Sequence, residues 1–122
     1  IICTTTPSTT PVLPDDKELL RGKCIIAIGS YMPEMREIPD AVLDLVDNVY
    51  IELPYACEES GDLSQPLASG KLTKDRIKLM HEYLVSGEKE IKEGQTTYFK
   101  SVGMGLFDVC IAQKLYEVAK EK

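Results

Sequence analysis

One short run constrains the fold of this chain more than any other: Cys24-Ile25-Ile26-Ala27-Ile28, closed by Gly29. A strand with one wet face alternates apolar and polar residues. A run that is apolar at every position wants both faces covered, the condition of a strand held between helix layers in a parallel sheet. Ile1-Ile2-Cys3-Thr4 reads as another short buried strand, and the chain, lacking an initial methionine, opens as though inside a sheet. The Thr/Pro/Ser stretch through Pro14 must then be loop.

Helical signals separate the strands. Asp15 to Arg21 reads as a short helix, with Asp15 as N-cap, Glu18 behind it and Gly22 as the stop. Ile38 to Val46 reads as a second, with Pro39 tolerated in its first turn and Val42, Leu45 and Val46 on one face. Val49 to Leu53 is expected as a strand, and Tyr55 to Ser60 as one or two helical turns. The spacing of Ile77, Met80, Leu84 and Val85 predicts a helix over Thr73 to Val85, with Thr73 as its cap. Ser86 to Gln95 is polar and reads as an exposed connection, and Thr96 to Lys100 as a strand rich in threonine and aromatics. From Gly103 a long helix is apolar nearly all round until Gln113, which calls for burial against more than one surface. This alternation predicts an α/β layered domain with four mostly parallel strands.

Composition narrows the function classes. At 122 residues, 43% of them hydrophobic, the chain suits one small domain. No apolar run is long enough for a membrane span. A net charge of −6 without a basic patch argues against nucleic acid as a partner. Cys3, Cys24, Cys57 and Cys110 lie far apart, in or beside apolar runs, as small hydrophobes do. They form no C-x-x-C pair, and with His81 the lone histidine no metal site is expected. Reduced cysteines point to the cytoplasm.

Open α/β sheets bind ligands beyond the carboxyl ends of their strands. That rule singles out Thr5-Thr6-Pro7-Ser8, Gly29-Ser30-Tyr31 and Lys100-Ser101-Val102-Gly103, each rich in small residues, hydroxyls or backbone N–H groups. The same residue types fill ordinary strand-ending loops, so both readings stand open here. Gly103-Met104-Gly105 imitates the start of a dinucleotide fingerprint, but Asp108 replaces the third glycine, where a side chain obstructs helix–strand packing. Glu52, Glu58, Glu59 and Asp62 read as a solvated acidic edge rather than an acid/base pair. Arg36 and Glu37 could form an ion pair at a helix start, His81 reads as a surface or packing residue, and Glu88 to Glu93 as a solvated segment.

Four segments carry a resemblance. They are Thr6-Pro7-Ser8-Thr9-Thr10-Pro11-Val12-Leu13, Ile28-Gly29-Ser30-Tyr31-Met32-Pro33-Glu34-Met35-Arg36-Glu37-Ile38, Glu59-Ser60-Gly61-Asp62 and Phe99-Lys100-Ser101-Val102-Gly103-Met104-Gly105-Leu106-Phe107-Asp108. In this order and spacing the chain resembles the ornithine cyclodeaminase/mu-crystallin family from end to end. The resemblance implies half of a Rossmann-type, mostly parallel sheet flanked by helices. Residues 1–102 would be the C-terminal half of the NAD(P)-binding domain. Residues 103–122 would be a closing helix that packs towards a substrate and dimerisation domain. The glycine fingerprint and the basic substrate-binding residues would precede Ile1.

By resemblance, Thr5, Thr6, Pro7 and Ser8 border the cofactor ribose and nicotinamide. Ile28, Gly29 and Ser30, with Lys100, Ser101, Val102 and Gly103, approach the ring. The cofactor is implied as NAD or NADP, the partners as a small amino-acid or imine substrate and a second subunit or the N-terminal part, with no nucleic acid and no membrane. In the cyclodeaminases the second residue after the equivalent of Gly29 is an aspartate that serves as acid/base; here it is Tyr31. Phenols ordinarily ionise at about pH 10 and replace a carboxylate base poorly. The resemblance therefore implies an NAD(P)-dependent imine or ketimine reductase, with Tyr31 lining the substrate side. The alternative is a catalytically inactive, crystallin-like binder of NAD(P)H or another small ligand.

Overall fold

The computed structural model describes residues 1–87 and 91–121. Five strands form one sheet: β1 (Ile2–Thr4), β2 (Cys24–Ala27), β3 (Val49–Ile51), β4 (Ile77–Leu79) and β5 (Thr97–Lys100). Their order is β1-β2-β5-β3-β4 and every pairing is parallel. The helices are α1 (Lys17–Leu20), α2 (Asp40–Leu45), α3 (Ala56–Glu59), α4 (Gly61–Ser69), α5 (Met80–Ser86) and α6 (Gly105–Lys120).

The expected strands are present, with β1 at an edge, and β4 is an addition. Thr73 to Val85 is not one helix. It is a 3-10 turn at Lys74–Arg76, then β4, then α5. Ile77-Lys78-Leu79 alternates apolar and polar, although Ile77 also starts the helical stripe, and pairing with Val49–Ile51 decides for the strand. Arg76 holds this crossing in place by donating to the carbonyls of Leu43 (2.6 Å), Val46 (2.6 Å) and Asp47 (3.0 Å) at the end of α2. Arg76→Ala is expected to cost about 2 kcal/mol, because it leaves helix-end carbonyls without a charged donor. A urea midpoint unchanged from wild type would show that water replaces the guanidinium at no cost.

The core lies on one face of the sheet. Ile25, Ala27, Val49, Ile51 and Tyr98 meet Leu20, Ala41, Val42, Val46, Ala56 and Leu63 from the helices. The other face is closed over β3, where Tyr83 of α5 meets Tyr50 edge-on at 5.1 Å between ring centres. Over β1 and β2 it stays open: Cys3 and Cys24 are exposed and Ile26 is half-buried. The apolar run that predicted cover on both faces is therefore covered on one within this chain. Of the four cysteines, all free thiols, only Cys57 packs against the core.

Capping differs by one residue from expectation, for a local reason. Asp16, not Asp15, caps α1, accepting from Glu18 N–H at 2.9 Å. Asp15 accepts instead from Ala41 N–H at 2.8 Å, in the first turn of α2. Pro39 stands just outside α2 and has no capping side chain, so Asp15 supplies the missing acceptor from across the fold.

The closing helix carries no buried residue, and Leu106, Val109, Ile111, Leu115 and Tyr116 are each at least 60% exposed. An apolar surface of this kind binds environment-sensitive dyes and drives association. The isolated chain is expected to bind such a dye, and Ile111→Lys with Leu115→Lys to lower the signal severalfold. Equal dye binding by the variant would assign the signal to another face. Among the described residues, no helix is long and apolar enough to cross a membrane.

Candidate functional site

Because all pairings are parallel, β1, β2 and β5 end on the same edge of the sheet. The ladder continues one rung past them: Ile28 N–H donates to Thr4 O at 2.9 Å, and Ser101 N–H to Ala27 O at 3.0 Å. The three loops singled out from sequence thus leave side by side. What shapes them is a set of buried carboxylates.

Glu37 is fully buried. Its Oε1 accepts from Thr6 N–H at 2.6 Å, while Oε2 accepts from Gly29 N–H at 2.7 Å and Ser30 N–H at 3.2 Å. One side chain staples the loop after β1 to the loop after β2. This needs glycine at position 29, since a Cβ there would lie 2.6 Å from Glu37 Oε1 and from the Thr5 carbonyl carbon. Glu52, at the end of β3, performs the same task for the third loop. Its Oε1 accepts from Ser101 Oγ–H (2.7 Å), Val102 N–H (2.7 Å) and Gly103 N–H (3.1 Å).

Asp62 sits behind both. Its Oδ1 accepts from Glu37 N–H at 2.7 Å and Ile38 N–H at 3.0 Å, just ahead of Pro39, which disfavours helical backbone at the residue before it, and α2 begins at Asp40. Its Oδ2 faces Lys100 Nζ at 3.4 Å, and both side chains are completely shielded. Burial pushes the Asp62 carboxyl above its ordinary value against the pull of the Ile38 N–H and of Lys100, and pushes the Lys100 ammonium below its own.

The expected site residues divide by exposure. Thr5, Thr6, Pro7, Ile28, Tyr31 and Gly103 are exposed along this edge, and Ser8, Gly29 and Val102 are half-buried. Tyr31 is 49% exposed at the lip. Ser30, Lys100 and Ser101 face inward. Ser30 Oγ donates to Met35 O at 2.8 Å and shares a hydrogen bond of 2.8 Å with Ser60 Oγ. These three can offer an outside molecule little but backbone.

Two other readings are corrected. Arg36 pairs with Asp40, not with Glu37, and its Nε donates to Ile38 O at 3.1 Å. Glu52 and Asp62 are not a solvated edge, although Glu58 and Glu59 are exposed as expected. The signal for Glu52 was present in its position directly after the buried Val49-Tyr50-Ile51. His81 is exposed on α5, and the run from Glu88 lies partly outside the described residues. Among the described residues, no group of three or more His, Cys, Asp and Glu side chains could hold a metal ion.

All of this chain, residues 1–122, matches the sequence profile of the ornithine cyclodeaminase/mu-crystallin family. The chain belongs to that family. It is 38% identical over 125 positions to a Delta(1)-pyrroline-2-carboxylate reductase of Bacillus cereus (strain ATCC 10987), a match covering 100% of this chain and 38% of that protein. The chain thus spans well under half the length of the curated relatives it matches. Among solved structures it is similar to a probable ornithine cyclodeaminase from Bordetella pertussis Tohama I, with a TM-score of 0.78 and 29% identity, covering 98% of this chain and 39% of that one. It also superposes on the Thermococcus litoralis Delta(1)-pyrroline-2-carboxylate reductase solved with NADH and L-proline, with a TM-score of 0.74 and 24% identity, covering 98% and 36%. That second likeness is one of fold. The family fold is Rossmann-like, and its parallel sheet with the long C-terminal helix is the architecture described above.

Proposed function

We propose that this family member is part of a cytoplasmic, dimeric NAD(P)H-dependent imine reductase acting on a small amino-acid-derived imine. Residues 1–102 would be the closing half of its cofactor domain, and 103–122 the helix leading to the second domain. The supporting observation is the strand-end rim organised by Glu37 and Glu52. A phosphate site needs free N–H groups and positive potential. Here the N–H groups of Thr6, Gly29, Ser30, Val102 and Gly103 are already taken by carboxylates. Such a rim repels phosphate but suits a flat, uncharged or cationic ring. It fits the nicotinamide end of the dinucleotide, with Thr5, Thr6, Pro7 and Ser8 towards the ribose, and Ile28, Gly29, Ser30 and Lys100 to Gly103 supplying chiefly backbone and packing.

A bound dihydronicotinamide supplies the hydride that an imine carbon accepts. The chain's part is to position that ring and to keep one face open to the substrate. Tyr31, exposed at the lip, would stand on the substrate side. The imine as substrate draws on the named activity of the Bacillus relative and on tyrosine where the cyclodeaminases have their aspartate.

The whole protein carrying this segment, given NADH or NADPH and Delta(1)-pyrroline-2-carboxylate, is expected to consume the dinucleotide and to release no ammonia from ornithine. Ammonia release at an ordinary enzymatic rate would overturn the Tyr31 argument. Tight dinucleotide binding without turnover of any cyclic imine would favour the crystallin-like reading. Tyr31→Ala is expected to raise KM for the imine about tenfold while leaving the NADH Kd within about twofold. The reverse pattern would place Tyr31 on the cofactor instead.

A further inference from the structure

Lys100 is the buried cation among the described residues, and nothing outside the protein can touch it. It ends β5, the middle strand, in register with Ala27 of β2 and Ile51 of β3. Its side chain therefore stands on the helix-covered face, at the edge that carries the three loops. Besides Asp62, the charges of Glu37 and Glu52 act on it. Asp62 is the carboxylate next to that ammonium, at 3.4 Å, while Glu37 and Glu52, buried at the same end of the sheet, bear on it through charge alone. Hydrogen bonds from N–H groups offset part of their charge, but removing one member of a buried charge cluster leaves the others uncompensated and mutually repelling. Repulsion among them would push Glu37 and Glu52 away from the N–H groups of the loops they staple.

The geometry points to Lys100 as a positioning residue: the shared counter-ion of Asp62, Glu37 and Glu52, through which the three strand-end loops keep their shape. It would act on ligand binding through those carboxylates rather than by contact. Its bearing on cofactor affinity rests on the function proposed above; its bearing on the loops does not.

Amide hydrogen exchange of the 122-residue chain, read residue by residue by NMR, separates charge from packing. Lys100→Met keeps the aliphatic stem and removes the charge. It is expected to speed exchange at Thr6, Gly29, Ser30, Val102 and Gly103 at least tenfold more than at Tyr50 in β3. The double variant Lys100→Met with Asp62→Asn returns the cluster to its original net charge and keeps an oxygen for the Glu37 and Ile38 N–H groups. It is expected to restore loop protection to within about threefold of wild type, even if the single variant fails to fold. Unchanged loops in Lys100→Met, or a double variant that is unfolded or no better protected than the single, would overturn the counter-ion role. NADH titration of the whole protein completes the test. Loosened loops with unaltered NADH affinity would leave the counter-ion role standing and count against the proposed cofactor contact.

Discussion

Gly29→Ala is expected to destabilise the chain by about 3 kcal/mol, the upper part of the range for forced overpacking. The added methyl would collide with the backbone nitrogen of Thr6 and lie 2.6 Å from both the Thr5 carbonyl carbon and Glu37 Oε1. Two of these are main-chain atoms just past the end of the β1–β2 ladder, with Thr6 N–H held by Glu37, so no rotamer change relieves the contact. The loops after β1 and β2 must separate, and Glu37 cannot then span them. Gly70, at the end of α4, makes the control. Its φ is +77° with open space where a Cβ would go, so alanine there should cost only about 1 kcal/mol in backbone strain. Urea unfolding of the two variants checks the ranking. Equal midpoints would mean that the rim is loose enough to absorb a methyl group.

The second large effect belongs to Glu37→Gln. The substitution preserves shape but leaves one oxygen where two were accepting. If that oxygen serves Thr6, the new NH2 group points at the N–H groups of Gly29 and Ser30, donors facing donors. Each unsatisfied shielded donor costs about 1–3 kcal/mol, so a loss of about 3 kcal/mol is expected. It should come with faster amide exchange at Thr6, Gly29 and Ser30 than in the core. A glutamine variant within about 0.5 kcal/mol of wild type would refute the stapling role.

Much of the layout was legible from local pattern. The run from Cys24 to Ile28 announced a buried parallel strand, and the carboxyl-end rule picked out loops that do leave one edge together. The strand at Ile77–Leu79 was not legible, because Ile77 also falls on the helical stripe that runs on to Met80 and Leu84, and three alternating residues are too few to outweigh it. Only the carbonyls and N–H groups of β3 choose between them. Glu37, Glu52 and Asp62 escape a sequence reading for a related reason. A charged residue in sequence defaults to the surface, and its burial becomes tolerable only when donors from distant segments surround it. For Glu37 those donors lie up to 31 positions away, at Thr6.

Local pattern was enough for the α/β class, the order of the elements apart from β4, the loops at the strand ends and, through four short segments in order, the family. Periodicity and turn chemistry are local properties, and they survive in one dimension. Tertiary structure alone decided that β5 enters between β2 and β3, that one face of the sheet over β1 and β2 stays open, and that three carboxylates and a lysine hold the rim from inside. Those outcomes depend on which distant N–H groups meet which oxygens and on where charge loses its water, and neither exists until the chain has folded.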